Sequence, residues 1–335
     1  PGSEEEALLH RTDFTQPALF ALQVALWRLW ESWGVRPELL LGHSIGEFAA
    51  AHVAGVFDLD DACRLVEARG RLMRALPARG AMVSIECAAE EAQAAIDVVG
   101  LRGKLDVALL NTPTQTVLSG DTDAVEAITA HFTERGRRAK RLTVSHAFHS
   151  HHMDAMLDAF RDVARGVRFG PAEIPLVSGL TGELAAPGEL ERADYWVRQV
   201  RGAVRFSDGM RLLRREGANT FLELGPRAVL SGLGATCLAD EGPVTWVPSC
   251  TPGKNGATVI QRGVAELHVR GVAVDWDGFF APFGGGRVAL PTYAFQRERF
   301  WFEPPVTHQI GAGLNPTGHA LLGGGVEIAG TELSL

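Results

Sequence analysis

The chain has 335 residues, 46% hydrophobic and 21% charged, enough for a sizeable core and more than one domain. A net charge of -8 gives no electrostatic support to nucleic-acid binding. The acidic start, Glu4-Glu5-Glu6, has no apolar signal core, and the apolar stretch from Ala18 to Trp27 is broken by Gln23 and too short for a bilayer. The expectation is a soluble protein without membrane association. Cys63, Cys87, Cys237 and Cys250 are scattered with no C-x-x-C pair, which argues against disulfides or zinc and fits a reducing cytoplasm.

Apolar positions at helical spacing (Leu19, Leu22, Val24, Leu26, Leu29, Trp30, Trp33) predict a helix over 14–33 that stops at Gly34. A strand over 38–42 and a helix over 45–54 flank Gly42-His43-Ser44-Ile45-Gly46. G-x-S-x-G between strand and helix lifts a serine onto a tight turn, although a plain strand-to-helix turn carries the same pattern. The glycines are expected to supply strained backbone angles and close strand–helix approach. The amide after the serine, that of Ile45, lies at a helix N-terminus where an oxyanion can be held. A helix over 58–76 starts at Asp58 as its N-cap. Its Arg69 and Arg71 lie among Leu65, Val66, Leu72 and Met73. Most such arginines reach solvent, but one facing a cleft holds a carboxylate by a bidentate pair.

Strand 82–85, helix 89–99, strands 107–110 and 116–119, helix 121–134 and strand 140–145 make a β-α-β-β-α-β unit, the ferredoxin-like pattern. Asp121 and Asp123 sit at a helix start, where capping accounts for them. The basic run 135–141 reads as a solvated helix end or as a docking patch for an acidic partner. His146-Ala147-Phe148-His149-Ser150-His151-His152 follows, either a surface loop or the source of the base that a serine nucleophile needs. No metal is expected there, since no cysteine or carboxylate cluster accompanies the run and adjacent residues cannot all face one ion. In an α/β-hydrolase the acid and then the histidine come late in the chain. Here a Ser–His dyad with a backbone carbonyl orienting the imidazole is the simpler expectation.

Helix 151–165, strand 174–177, helix 203–216, strand 220–224, helix 227–238 and strand 244–248 alternate as in a parallel, helix-covered sheet. One more helix is expected over 255–270, and after Gly271 the aperiodic Trp, Phe, Pro and Gly read as an ordered linker. The expected fold class is α/β, a hydrolase-like parallel-sheet core with an inserted ferredoxin-like (βαββαβ) subdomain.

Thr15-Gln16-Pro17-Ala18-Leu19, Gly42-His43-Ser44-Ile45-Gly46-Glu47, Ala50-Ala51-His52-Val53-Ala54-Gly55, Arg69-Gly70, His146-Ala147-Phe148-His149-Ser150 and Glu223-Leu224-Gly225-Pro226 occur in order. Together they resemble the acyltransferase domain of modular type I polyketide synthases, similar to malonyl-CoA:acyl-carrier-protein transacylases. The resemblance covers 1–248, a large subdomain (1–78 and 146–248) with the ferredoxin-like subdomain at 79–145. It implies Ser44 as acylated nucleophile, His149 as general base and then acid, and the Ile45 amide as oxyanion donor. It also implies Arg69 as partner of a free carboxylate, with Gln16 and Asn111 lining the site. His146 and Phe148, in the H-A-F-H form, resemble malonyl-selective members, Phe148 leaving no room for an α-methyl.

Malonyl-CoA is then the substrate and the phosphopantetheine thiol of an acyl carrier protein the acceptor, with no bound cofactor or metal. Leu290-Pro291-Thr292-Tyr293-Ala294-Phe295-Gln296-Arg297 resembles the linker after such domains, over 249–302, and His319-Ala320-Leu321-Leu322-Gly323 the opening of a dehydratase domain, over 303–335. Neighbouring ketosynthase and dehydratase domains are the implied partners. Family members carry a G-Q-G strand upstream of residue 1, so the chain is expected to lack one oxyanion contact, worth roughly 10²–10³ in rate. A serine hydrolase or thioesterase with the same pair, and a non-catalytic scaffold, are the alternatives.

Overall fold

The computed structural model describes residues 8–284, 288–298 and 329–330. The chain divides into two units with the boundary after residue 285. In the second unit, residues 288–298 form no helix or strand and are exposed. The expected dehydratase-like start falls, apart from residues 329–330, outside the described residues.

The first unit opens with α1 (Thr12–Ser32), whose Phe20, Val24, Trp27 and Trp30 are buried. Next come β1 (Leu40–Leu41), α2 (Gly46–Val53) and α3 (Leu59–Ala75), the last capped by the Asp58 carboxylate on the Asp61 N–H. The core cluster around α2 and α3 contains Phe48, Phe57, Leu65, Met73, Phe160 and Trp196. Most of these positions are fully removed from water, each contributing roughly 1.5–3 kcal/mol.

The insert follows as β2 (Ala81–Ile85), α4 (Ala89–Val99), β3 (Leu105–Thr112), β4 (Gln115–Gly120), α5 (Thr122–Thr133) and β5 (Ala139–Arg141). Its sheet order β3-β4-β2-β5, antiparallel throughout, is that of the ferredoxin-like unit. Both helices bury apolar stripes, Ala92, Ala95 and Ile96 from one and Val125, Ile128 and Phe132 from the other, in one cluster with the strands. β5 stops at Arg141, short of the expected 145. Val83 pairs with Arg141, so β2 has only two residues left beyond that point, and Val144 lies exposed. Asp121 does not cap α5 with its side chain, contrary to expectation; its carboxylate faces His151 and His152.

After the insert, a 3₁₀ turn (His151–Met156) precedes α6 (Leu157–Arg165), where one continuous helix was expected. Such turns are common at helix starts, and here Ser150 Oγ accepts the His152 N–H. The remaining elements are β6 (Leu176–Val177), α7 (Ala193–Arg201), α8 (Phe206–Arg215), β7 (Thr220–Glu223), α9 (Val229–Cys237), β8 (Thr245–Pro248), α10 (Gly256–Val269) and α11 (Trp276–Phe280). Strand pairing is parallel, as expected of alternating elements, and forms two separate pairs among the described residues, β1–β6 and β7–β8. Phe206, Met210 and Leu213 of α8 join Leu41 and Val177 to Phe221 and Trp246 in one apolar cluster. After Gly271, where an ordered linker without periodicity was expected, a short helix forms and its aromatic residues are packed. Asp275 caps α11, and Phe279 and Trp276 pack with Trp30 of α1 and with Trp33 just past its end.

Gly42 bears out the expected close approach, because a Cβ there would lie 2.2 Å from Glu47 Cα. Gly46 does not, since its Cβ would meet only Gln23 Nε2 at 3.4 Å, and the strained angle falls on Ser44 itself. Gly42→Ala is therefore expected to lower unfolding stability in urea by about 3 kcal/mol. Gly46→Ala, in a helix, should change it by less than about 1 kcal/mol. Equal effects would reject this account of the turn.

Candidate active site

Among the described residues, two that are not glycine have positive φ, Ser44 at 52° and His149 at 55°. Such backbone costs on the order of 1–3 kcal/mol and persists only where its surroundings hold it. Their side chains meet: Ser44 Oγ lies 2.8 Å from His149 Nε2. His149 Nδ1–H donates to the Gly202 carbonyl at 2.8 Å, which leaves Nε2 to accept the serine proton. Burial, reinforced by the Arg69 cation, pushes the imidazole down to about 3, so the ring is neutral and open to a proton at neutral pH.

Arg69 comes from the buried face of α3. Its Nη2 donates to Ser44 Oγ at 3.2 Å and its Nη1 to Gln16 Oε1, and its guanidinium lies 5.8 Å from the Phe48 ring centre. Gln16 is held in turn by donating to Thr12 Oγ1 at 2.7 Å. Burial lowers the guanidinium to about 10, which the Glu47 charge partly opposes. Arg69 Nε is buried with no partner among the described residues. An unmet charged donor is costly unless something else accepts from it, so this edge of Arg69 suits an incoming carboxylate.

The serine turn is held from behind by groups that the sequence reading did not assign. Gln199 Nε2 donates to the Ser44 carbonyl at 2.8 Å and to Glu47 Oε2 at 3.1 Å. The Glu47 carboxylate also accepts from the Tyr195 hydroxyl and from the Gly179 N–H at 2.9 Å. Burial raises the Glu47 carboxyl above its ordinary range, and these donors pull it back. Tyr195, Gln199 and Gly202 belong to α7 and its end, a helix missing from the sequence reading. Asp194 in its first turn, Arg198 and Arg201 in its last and Gly202 just beyond are helix start and stop signals that could have revealed it.

The other expected residues stand one step away. Asn111 Oδ1 accepts from His43 Nε2 at 3.0 Å and so steadies the residue before the serine. His146 is buried, with Nε2 donating to the Leu76 carbonyl at 3.2 Å and Nδ1 facing Ser145 Oγ. Phe148 packs beside His146, ring centres 6.0 Å apart, against both the large-subdomain core and the insert. None of the three hydrogen-bonds to Ser44, His149 or Arg69. Among the described residues the Ile45 N–H has no backbone or side-chain acceptor. The arrangement supplies a polarised hydroxyl, a neutral base and a fixed cation, which is equipment for acyl transfer from an anionic acyl group.

The four cysteines are free, and no helix among the described residues is long and apolar enough to cross a membrane. Residues 2–274 match the acyl transferase domain family. The chain is 55% identical over 294 residues to a PKS-NRPS hybrid synthetase (acdB) of Aspergillus candidus, covering 88% of this chain and 12% of that protein. It spans 4% to 17% of the first three curated relatives it matches. The acyltransferase domain from the second module of the salinomycin polyketide synthase superposes with a TM-score of 0.81 at 48% identity, over 88% of this chain and 68% of that one. Malonyl-CoA:acyl carrier protein transacylase of Xanthomonas oryzae pv. oryzae superposes at 0.69 and 32% identity, over 78% and 83%. With a serine and a histidine both forced into left-handed backbone so that they meet, these similarities establish that the chain belongs to the acyl transferase domain family, among the acyltransferase domains of polyketide synthases.

Proposed function

We propose that the chain transfers a malonyl unit from malonyl-CoA, through an ester on Ser44, to the phosphopantetheine thiol of an acyl carrier protein. The observation that carries this reading is the sharing of Ser44 Oγ between His149 Nε2 and Arg69 Nη2. It is supported by the likeness to a protein named as a malonyl-CoA:acyl carrier protein transacylase. His149 Nε2 takes the hydroxyl proton as Oγ attacks the thioester carbonyl, and the Ile45 N–H receives the developing oxyanion. Nε2 then returns the proton to the departing CoA sulfur. In the second half, Nε2 deprotonates the carrier thiol, sulfur attacks the ester, and Ser44 regains its proton. Arg69 holds the malonyl carboxylate throughout, with Gln16 fixing its orientation. That carboxylate offsets the Arg69 charge, one of the causes that depress His149, and so strengthens the base when the correct acyl group is bound.

A triad hydrolase needs a carboxylate on His149 Nδ1, where the Gly202 carbonyl sits instead. Neighbouring ketosynthase and dehydratase domains, a post-acyltransferase linker over 249–302, a dehydratase-like segment over 303–335 and a cytoplasmic setting complete the proposal. Incubating the chain with labelled malonyl-CoA and mapping peptides tests it: the adduct is expected on Ser44, and label elsewhere overturns the mechanism. In competition, malonyl-CoA is expected to exceed methylmalonyl-CoA by about 10-fold or more, the worth of one methyl. Phe148→Ala should narrow that ratio, and an unchanged ratio rejects the role of Phe148.

A further inference from the structure

Beyond His149, the histidine run places two imidazoles beside carboxylates that the acyl-transfer steps do not use. Carboxylates do accompany the run, and two adjacent histidines do face one point. Asp121 Oδ1 lies 3.2 Å from His151 Nε2 and 2.9 Å from His152 Nε2. The three ligand atoms all fall within 4.8 Å of one another. A tetrahedral zinc ion with bonds near 2.0–2.1 Å sets its ligands about 3.3 Å apart, so a slight spreading of these side chains makes room for one.

The outer partners are in place as well. His151 Nδ1 faces Asp106 Oδ2 at 3.0 Å, and the same oxygen accepts the His151 backbone N–H at 2.8 Å. Arg201 Nη2 donates to the other Asp106 oxygen at 3.0 Å. A carboxylate on one imidazole nitrogen fixes the tautomer that offers the other nitrogen to a metal. Arg201 pairs with both Asp106 and Asp154, while the Asp121 carboxylate is met by the two imidazoles. The ring and carboxylate remain partly exposed, at 29%, 18% and 37% for His151, His152 and Asp121, so an ion can enter and keep a water.

We propose that Asp121, His151 and His152 form a binding site for a zinc-class divalent cation, with Asp106 as the carboxylate behind His151. Two imidazole nitrogens and one carboxylate oxygen suit zinc or cobalt and disfavour magnesium and calcium. Asp121 lies between β4 and α5 of the insert, while His151 and His152 lie two and three residues past His149. The cation therefore staples the insert to the loop that carries the proposed base, and its part is structural, outside the acyl-transfer steps.

Cobalt(II) titration of the full 335-residue chain, followed by visible absorption, tests the site. One equivalent of tetrahedral-type cobalt, displaced by zinc, is expected. Asp121→Asn and His152→Gln should each weaken binding by at least about 100-fold, and Asp106→Asn by about 10–100-fold. Zinc at a hundredfold excess over its Kd should raise the Tm of the wild-type chain by about 5 °C and leave that of Asp121→Asn unchanged. Absence of cobalt binding by the wild type, or a band that survives in both ligand variants, overturns the proposal.

Discussion

His149→Ala is expected to lower the rate of Ser44 acylation by malonyl-CoA about 10⁴-fold, the scale on which a serine hydroxyl depends on its base. Among the described residues the other side chain hydrogen-bonded to Oγ is the Arg69 guanidinium, a cation that takes no proton. Two pH signatures separate this role from a structural one. Because burial and Arg69 hold the imidazole near 3, the acylation rate of the wild type should stay level from neutral pH down to about pH 5. An ordinary histidine would lose it around 6.5. Stability carries the opposite sign. Below 6.5 the unfolded chain binds a proton on this residue that the folded chain refuses until pH nears 3. The folded state therefore loses about 1.4 kcal/mol per pH unit over that window, and His149→Ala should lack this slope. Acylation that survives the substitution, or a rate that titrates near 6.5, contradicts the assignment.

Arg69→Gln is expected to reduce kcat/KM for malonyl-CoA by about 10²–10³-fold, corresponding to the loss of a buried, charge-assisted pair with the substrate carboxylate. Acetyl-CoA has no such carboxylate, so its slow transfer should change little, and the malonyl-to-acetyl ratio is the measurement that decides. Arg69 also touches Ser44, Gln16 and Phe48, and a purely structural loss would lower both substrates alike. The fold should survive, because Glu47, whose carboxyl burial already raises, can take up a proton when its counter-charge is removed. Arg69→Lys keeps the charge without the planar fork and should recover only part of the malonyl rate.

Much of this site was legible in the chain because its parts are local patterns. The strand, turn and helix around Ser44, the helical face that carries Arg69 and the βαββαβ order of the insert each follow from periodicity and turn chemistry within a short window. Helix α7 escaped, and with it Tyr195, Gln199 and the Gly202 carbonyl, because its nine residues form a short stretch between irregular segments. Glu47 was visible as a letter in the serine motif, but its burial depends on Gly179 and Tyr195, more than 130 residues away. Asp121 looked like a helix cap, and only the return of the chain past β5 brings two imidazoles to its carboxylate.

By itself the sequence determined which residues could do chemistry, since hydroxyl, imidazole and guanidinium are properties of side chains and the turn around Ser44 is encoded beside it. Tertiary structure alone decided which of them meet. Ser44 and His149 are 105 positions apart, Ser44 and Arg69 25, and their contacts arise from packing of α1, α2, α3 and α7 around one buried point. There, removal of water sets the base, the cation and the buried carboxyl away from their ordinary proton affinities. Desolvation depends on every neighbour at once, which is why no local run of residues could state it.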